Sequence, residues 1–508
     1  MALSITLILS SCGSGGDSNN DTIQPSPQPS TQASAQPVVQ PSPSAQPSPQ
    51  PTASQTLTEE SSTSTPVLIP DEENEEGFVE LSDTLDLSDK QYFRVLSPTT
   101  CTQKSKNRFI YQVMHDSYLW ANTVPELDYA DADYNSSQKM LEALKSSNDH
   151  FSFIINAKKA QSYFEEGKNN NFGLSLQLMP ITSTTYGLVV AFVYVGSPSE
   201  KAGFKRSDII TMVNNKEITE ATLPEISDLL TQQKTLTFSL LNANNTTEDK
   251  TITKGSYDIK TILYSNYYTN QNNGKKVGYM VFQDFIETGT KEINDVFNVF
   301  KQLGVNELVL DLRYNGGGSV GVAKHLASLI GGSNVSENVF HNVYFNESYS
   351  QFNSIAYFES YNSNALNLNR VFVITTERTC SASELIINAL RASANNVEVI
   401  QIGTQTCGKP YGYAGSGIFC DNALYAINME TKNSDDIGGY TEGLKATCPA
   451  NDNILRDFGN LKEDSLVEAL NYISNNKCSP ESNKQEKTNT KKRLTLPEDG
   501  FKRIMRAY

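Results

Sequence analysis

Leu308-Val309-Leu310 sits at the centre of an apolar run, Glu307 to Leu312, that is followed a few positions later by Gly316-Gly317-Gly318. A run of this length and continuity suits a strand covered on both faces, as in a parallel sheet packed between helices. Its surroundings repeat the theme. Val277 to Phe282 reads as a strand, Lys291 to Leu303 as an amphipathic helix and Ser319 to Ile330 as a helix. Val371 to Thr375 and Val397 to Gly403 read as strands, with the helical run Glu384 to Arg391 between them. Such alternation predicts an α/β core over residues 256–475.

Two stretches of that core carry chemistry. The hydroxyl-rich turn Thr379-Cys380-Ser381-Ala382-Ser383 runs directly into a helix. A serine there meets unpaired backbone N–H groups and the positive end of the helix dipole. Lys409, beside Gly408 past the next strand, can be returned to that serine by the helix–strand connection, and serine–lysine dyads are a known variant of the serine–histidine–acid arrangement. The competing nucleophiles are weaker. Ser383 should help the turn's hydrogen bonding, and Cys380 has no histidine near it in sequence. His325 and His341 are far from the turn, and His115 and His150 have no ligand-spaced partners. The Gly316–Gly318 loop lacks the lysine and the serine or threonine of a P-loop, and three glycines allow a substrate close to the backbone.

The Ser381-Ala382-Ser383-Glu384 turn, the Gly408-Lys409 pair and Asp311-Leu312-Arg313-Tyr314-Asn315-Gly316-Gly317 resemble, in that order, motifs of the tail-specific (C-terminal processing) serine proteases. The resemblance extends over roughly residues 100–475. It implies a crotonase-like (ClpP/crotonase) core, Ser381 as nucleophile and Lys409 as general base. It also implies an oxyanion hole from the N–H of Ala382 with that of Gly317 or Gly318, Asp311 and Arg313 as braces, and protein or peptide substrates. No cofactor and no metal are implied. Where the family has a glutamine four residues after the lysine, this chain has Tyr413, which leaves open an inactive relative that binds peptide or a small ligand.

Residues 77–170 resemble the family's N-terminal helical region, with helices expected over Asn107 to Trp120 and Ser137 to Lys145. The aromatics there, Phe151 and Phe153 included, are expected to pack a core. Residues 171–255 resemble an inserted PDZ domain, with Gly173, Leu174, Ser175 and Leu176 as its carboxylate loop and peptide-binding strand. Such a domain adds an extended peptide to a sheet edge while loop N–H groups hold a terminal carboxylate.

The chain ends read differently. Residues 1–12 form a short apolar leader closing in Leu9-Ser10-Ser11-Cys12, which resembles a bacterial lipobox with Cys12 as the lipidated residue, although the usual basic start is missing. Residues 13–76 are a Pro/Gln/Ser-rich and then acidic linker without the apolar content to fold. A membrane tether and an extracytoplasmic body are therefore expected. The net charge of -16 argues against nucleic acid as a partner. Cys380, Cys407, Cys420 and Cys448 cluster in the catalytic half without a CxxC pair, which favours disulfides over a zinc ribbon, with the pairing left open. Residues 476–508 form a polar tail.

Overall fold

The computed structural model describes residues 78–480 except 243, 361 and 362; the leader with Cys12, the linker and the tail beyond 480 lie outside the described residues. Helix α1 spans Gln103–Asp116, with the Thr102 hydroxyl accepting from the Ser105 N–H at 3.1 Å, and α2 spans Ser137–Leu144. The first ends short of Trp120 because the chain turns so that the Leu119 N–H meets the Ile427 carbonyl, 2.9 Å away. Ile110, Val113, Met140 and Leu144 bury the facing sides of the two helices against Phe419 and Leu424 of the core. The region is not wholly helical. A short strand, Phe153–Asn156, pairs antiparallel with Asn422–Tyr425 and stitches it to the catalytic half.

Five antiparallel strands follow: β1 Leu174–Pro180, β2 Tyr186–Val193, β3 Ile209–Val213, then, after helix α3 Leu223–Gln232, β4 Thr235–Leu241 and β5 Thr247–Thr253. Their order is β5-β4-β3-β2-β1, so β1 is an edge strand, and Leu174, Leu188, Ile210, Ile226 and Phe238 fill the module's own core.

The elements of the main sheet and its covering helices begin with β6 Ile262–Thr269, β7 Lys276–Phe282, α4 Gly289–Leu303, β8 Glu307–Asp311 and α5 Val320–Gly331. They continue with β9 Arg370–Thr375, α6 Ala382–Leu390, β10 Glu398–Gly403, β11 Cys448–Pro449 and α7 Asp464–Asn475. The sheet runs β6-β7-β8-β9-β10-β11, antiparallel only at β6/β7. Leu308 and Leu310 pack with Phe297 of α4, Leu326 of α5 and Ile386 of α6 on one face. On the other face Phe372 of β9 meets Tyr472 of α7, so β8 and β9 are covered on both sides, as their apolar runs require. This is the crotonase-like α/β core with an inserted β-rich module.

Buried charges join module to core. Arg313, wholly buried, bonds Asp311 at 2.9 Å, Asp452 at 2.9 Å and Glu463 at 2.8 Å. Asp452 also takes Arg206 of the module at 3.0 Å, and Arg206 donates to Tyr314 Oη at 2.7 Å. A buried pair of this kind is expensive to break, because the partner left behind is an uncompensated charge.

Among the described residues three disulfides are present: Cys101–Cys420, Cys380–Cys407 and Cys448–Cys478. Only one pair lies within the four clustered cysteines; the other two reach to Cys101 and Cys478, which are brought near by α1 and by the turn after α7.

Candidate active site

Ser381 stands where β9 turns into α6, at φ 57° and ψ -116°. A non-glycine residue in this region is strained, and it persists only where its surroundings hold it. The hold is visible. Thr379 Oγ1 donates to the Leu312 carbonyl at 2.8 Å, the Cys380 N–H to the Asn315 carbonyl at 3.0 Å, and Ser383 Oγ to the same carbonyl at 3.1 Å. The turn is thus clamped to the glycine loop that follows β8.

Ser381, Ala382, Gly316, Gly318 and Lys409 line one cavity of about 490 Å³. Its other walls are largely aromatic and apolar, among them Phe153, Phe285, Leu385, Tyr411, Tyr413 and Tyr425. Gly317 lies behind this wall: a Cβ there would come within 2.7 Å of Ser381 Cβ, and its N–H donates to Asn315 Oδ1 at 2.8 Å. The N–H groups of Gly318 and Ala382 have no such partner among the described residues, and both residues face the cavity. Gly318 also permits a close approach. Its φ is 133°, and a Cβ would sit 2.2 Å from the Phe285 carbonyl oxygen.

Lys409 is buried, and removal from water pushes its ammonium down to about 7, against the opposing pull of the Asp149 and Glu384 carboxylates. Its Nζ donates to Tyr413 Oη at 2.8 Å, and Tyr413 Oη donates to the Phe151 carbonyl at 2.7 Å. Burial holds the Tyr413 phenol well above its ordinary value, so it stays neutral. The Phe151 ring centroid lies 5.4 Å from Lys409 Nζ. The stretch from Asp149 to Phe153, expected only to pack a core, therefore encloses the lysine and walls the cavity. The stretch has no motif chemistry of its own, so only the fold shows this.

Glu384 is the functional residue that sequence reasoning passed over. Its buried carboxylate accepts from the N–H of Ser381 at 2.8 Å, of Gly408 at 2.8 Å and of Lys409 at 2.9 Å, and from Thr406 Oγ1 at 2.5 Å. One side chain thereby fixes the backbone at the serine and at the lysine. Burial raises its pKa and these bonds oppose the rise. The spacing Ser381-x-x-Glu384 was the available signal, a capping-box pattern at a helix start. The Cys380–Cys407 disulfide joins the same two segments and removes Cys380 from contention as a nucleophile. His325 is held between Glu359 at 2.8 Å and Asn294 at 2.9 Å, and neither it nor the buried His341 lines the cavity.

In the β-rich module, Leu174 to Leu176 form the start of edge strand β1 and are buried. Gly173, at φ 81°, is pressed against Ser197, where a Cβ would meet Ser197 Cβ at 2.2 Å. Its N–H, expected to be a carboxylate donor, is engaged by Asn171 Oδ1 at 2.8 Å.

Comparison with known proteins finds matches to three parts of the chain. The family model described as Peptidase S41 N-terminal domain matches residues 105–153, the PDZ domain model residues 189–239, and Peptidase family S41 residues 276–418. A carboxyl-terminal-processing protease of Picosynechococcus sp. is 28% identical over 48% of this chain and 55% of its own length. A CtpA-like serine protease of Staphylococcus aureus is 25% identical over 46% of this chain and 44% of its own. The chain thus spans about half the length of the curated relatives it matches. A solved S41 protease from Bacteroides fragilis superposes with a TM-score of 0.57 at 25% identity, over 72% of this chain and 97% of that one. With the three family models in their order along the sequence and a solved S41 protease matched over nearly its whole length, the chain carries a Peptidase family S41 domain preceded by the S41 N-terminal domain and a PDZ domain.

Proposed function

We propose that the chain is a serine endopeptidase that cleaves protein or peptide substrates through Ser381 and Lys409. The observation that carries this reading is Lys409, a lysine buried to a pKa of about 7 on the cavity that also holds Ser381. A lysine in water near pKa ~10.4 is almost wholly charged at neutral pH, whereas this one is neutral often enough to take a proton. In the reaction, neutral Lys409 removes the Ser381 proton as Oγ attacks the scissile carbonyl. The N–H groups of Gly318 and Ala382 stabilise the oxyanion, a charge that exists only after attack. Collapse gives an acyl-enzyme, with Lys409 returning its proton to the leaving amine, and water then completes hydrolysis. The test is labelling by a fluorophosphonate probe, expected at Ser381 and lost in Ser381→Ala. An unlabelled wild type that still binds peptides would favour the inactive relative instead.

Tyr413 supports the same reading where a glutamine was expected. Because its hydroxyl donates to the Phe151 carbonyl, its oxygen accepts from the lysine, leaving the amine lone pair for Ser381. Tyr413→Phe is expected to lower kcat several-fold with KM unchanged. It should also move the acid limb of the pH profile to lower pH, since the ammonium loses an acceptor. An unmoved pH profile would count against this orienting role.

The PDZ module is proposed to recognise C-terminal tails, and the body to be tethered outside the cytosol through lipid on Cys12. Cys12→Ala is expected to release the protein from membranes with peptidase activity intact, because the tethering residue precedes a long linker. Failure of labelled palmitate to enter the wild type would end that proposal.

A further inference from the structure

Arg378 lies three residues before Ser381, in the turn that β9 leads into. It is 9% exposed, and none of the described carboxylates pairs with it. Nη2 donates to the main-chain carbonyl of Leu176 at 3.2 Å, while Nη1 is buried without a hydrogen-bond partner. Every other described arginine of comparable burial is compensated: Arg313 by three carboxylates and Arg206 by Asp452. A buried guanidinium without an anion is costly, and the cost disappears when an anion arrives.

The position says which anion. Leu176 belongs to the start of β1, the edge strand of the PDZ sheet, and its carbonyl is an acceptor that an added peptide strand would use. Arg378 now holds that place. The Gly173 N–H, in the loop where a captured carboxylate would otherwise bond, is engaged by Asn171. An orphaned cation and an engaged loop donor, side by side on one strand edge, point to the cation as the carboxylate's partner.

We propose that Arg378 is the anchor for the free C-terminal carboxylate of a peptide captured along Leu174–Leu176. This rests on the reading of the PDZ module as a recogniser of tails, and it names the residue that decides for a free acid. The two Nη groups of a guanidinium match a carboxylate's two oxygens. Capture draws Arg378 from the Leu176 carbonyl, which the incoming strand's N–H then takes. Since Arg378 and Ser381 share one turn, a captured tail is held against the segment that positions the nucleophile.

The test uses the full chain with Ser381→Ala, so that nothing is cleaved, and a fluorescein-labelled hexapeptide ending in two apolar residues, as free acid and as amide. The parent is expected to bind the free acid at least tenfold more tightly than the amide. Adding Arg378→Gln, which can still donate to Leu176 but carries no charge, should bring that ratio to about one with the amide's affinity unchanged. Arg378→Lys should restore part of it. A ratio that survives both substitutions overturns the role of Arg378 and leaves tail recognition standing. A parent that binds neither peptide, or binds both alike, overturns tail recognition itself and the anchor with it. If Arg378→Gln fails to fold, Arg378→Lys decides alone: its single point charge should lower the ratio, and an unchanged ratio refutes a paired anchor.

Discussion

Ser381→Ala is expected to abolish peptide hydrolysis, by about 10^4-fold or more in kcat, and Lys409→Arg to be nearly as damaging as Lys409→Ala. The arginine result is the more informative. A guanidinium keeps its positive charge at every usable pH, so it cannot serve as a base, although it preserves charge and length. The pH dependence follows from the same burial. The Lys409 pKa lies at about 7, below its usual value, so the neutral base forms as pH rises through 7. The rate constant kcat/KM should therefore climb with pH up to about 7 and level off above it. Stability carries the complementary signature. With the folded pKa depressed and the unfolded one near 10.4, the unfolded chain holds more protons between those values, so this residue's contribution rises with pH across that window. Lys409→Met, free of the ammonium's desolvation, should have a Tm at pH 7 no lower than wild type while remaining inactive. Substantial turnover in Lys409→Arg would refute the dyad.

The second large effect is expected at Glu384. Glu384→Ala leaves three backbone N–H groups and the Thr406 hydroxyl without their acceptor inside a closed site. An orphaned buried donor costs about 1–3 kcal/mol, and local relaxation recovers part of the sum, so a loss of roughly 3–5 kcal/mol on urea unfolding is expected. Turnover should fall about a hundredfold or more, because the Ser381 turn and the Lys409 segment lose their common brace. Glu384→Gln separates the contributions. Its single carbonyl oxygen replaces one carboxylate oxygen, while its amide nitrogen faces N–H donors. It should therefore fold, with kcat depressed and KM close to wild type. A Glu384→Gln enzyme with unaltered kcat would mean that the disulfide between Cys380 and Cys407 suffices to hold the two segments.

The order of strands and helices was legible because β8, β9 and β10 are buried on both faces and bear the apolar runs that such burial demands. That Ser381 and Lys409 would come to one cavity was legible because a small-residue turn before a helix and a Gly-Lys pair leave local marks. The rest of the site depends on contacts distant in sequence. Phe151 meets Tyr413 across 262 residues, and no pattern near either residue announces the bond. That the Gly317 N–H is taken by Asn315 is a matter of loop conformation rather than composition. Trp120 fell outside its expected helix for a similar reason, since a remote carbonyl takes the Leu119 N–H.

The joint between the PDZ module and the core also has a bearing on the order in which the protein is made. Arg206 finds Asp452 across 246 residues and the Arg456 carbonyl across 250. The module can close its own sheet as soon as β5 has emerged on the side where the protein folds, since the strand pairs of β1 to β5 all lie within the module. Its anchor emerges long afterwards. At a synthesis rate of about 5–20 residues per second, the folded module waits on the order of ten seconds or more beside an unfinished core. During that interval Arg206 is hydrated and the strand edge of β1 has neither Arg378 nor Asp452 to cover it. The latch closes only when the segment after β11 arrives, so the docked geometry marks a chain whose synthesis has passed the last residues the site requires.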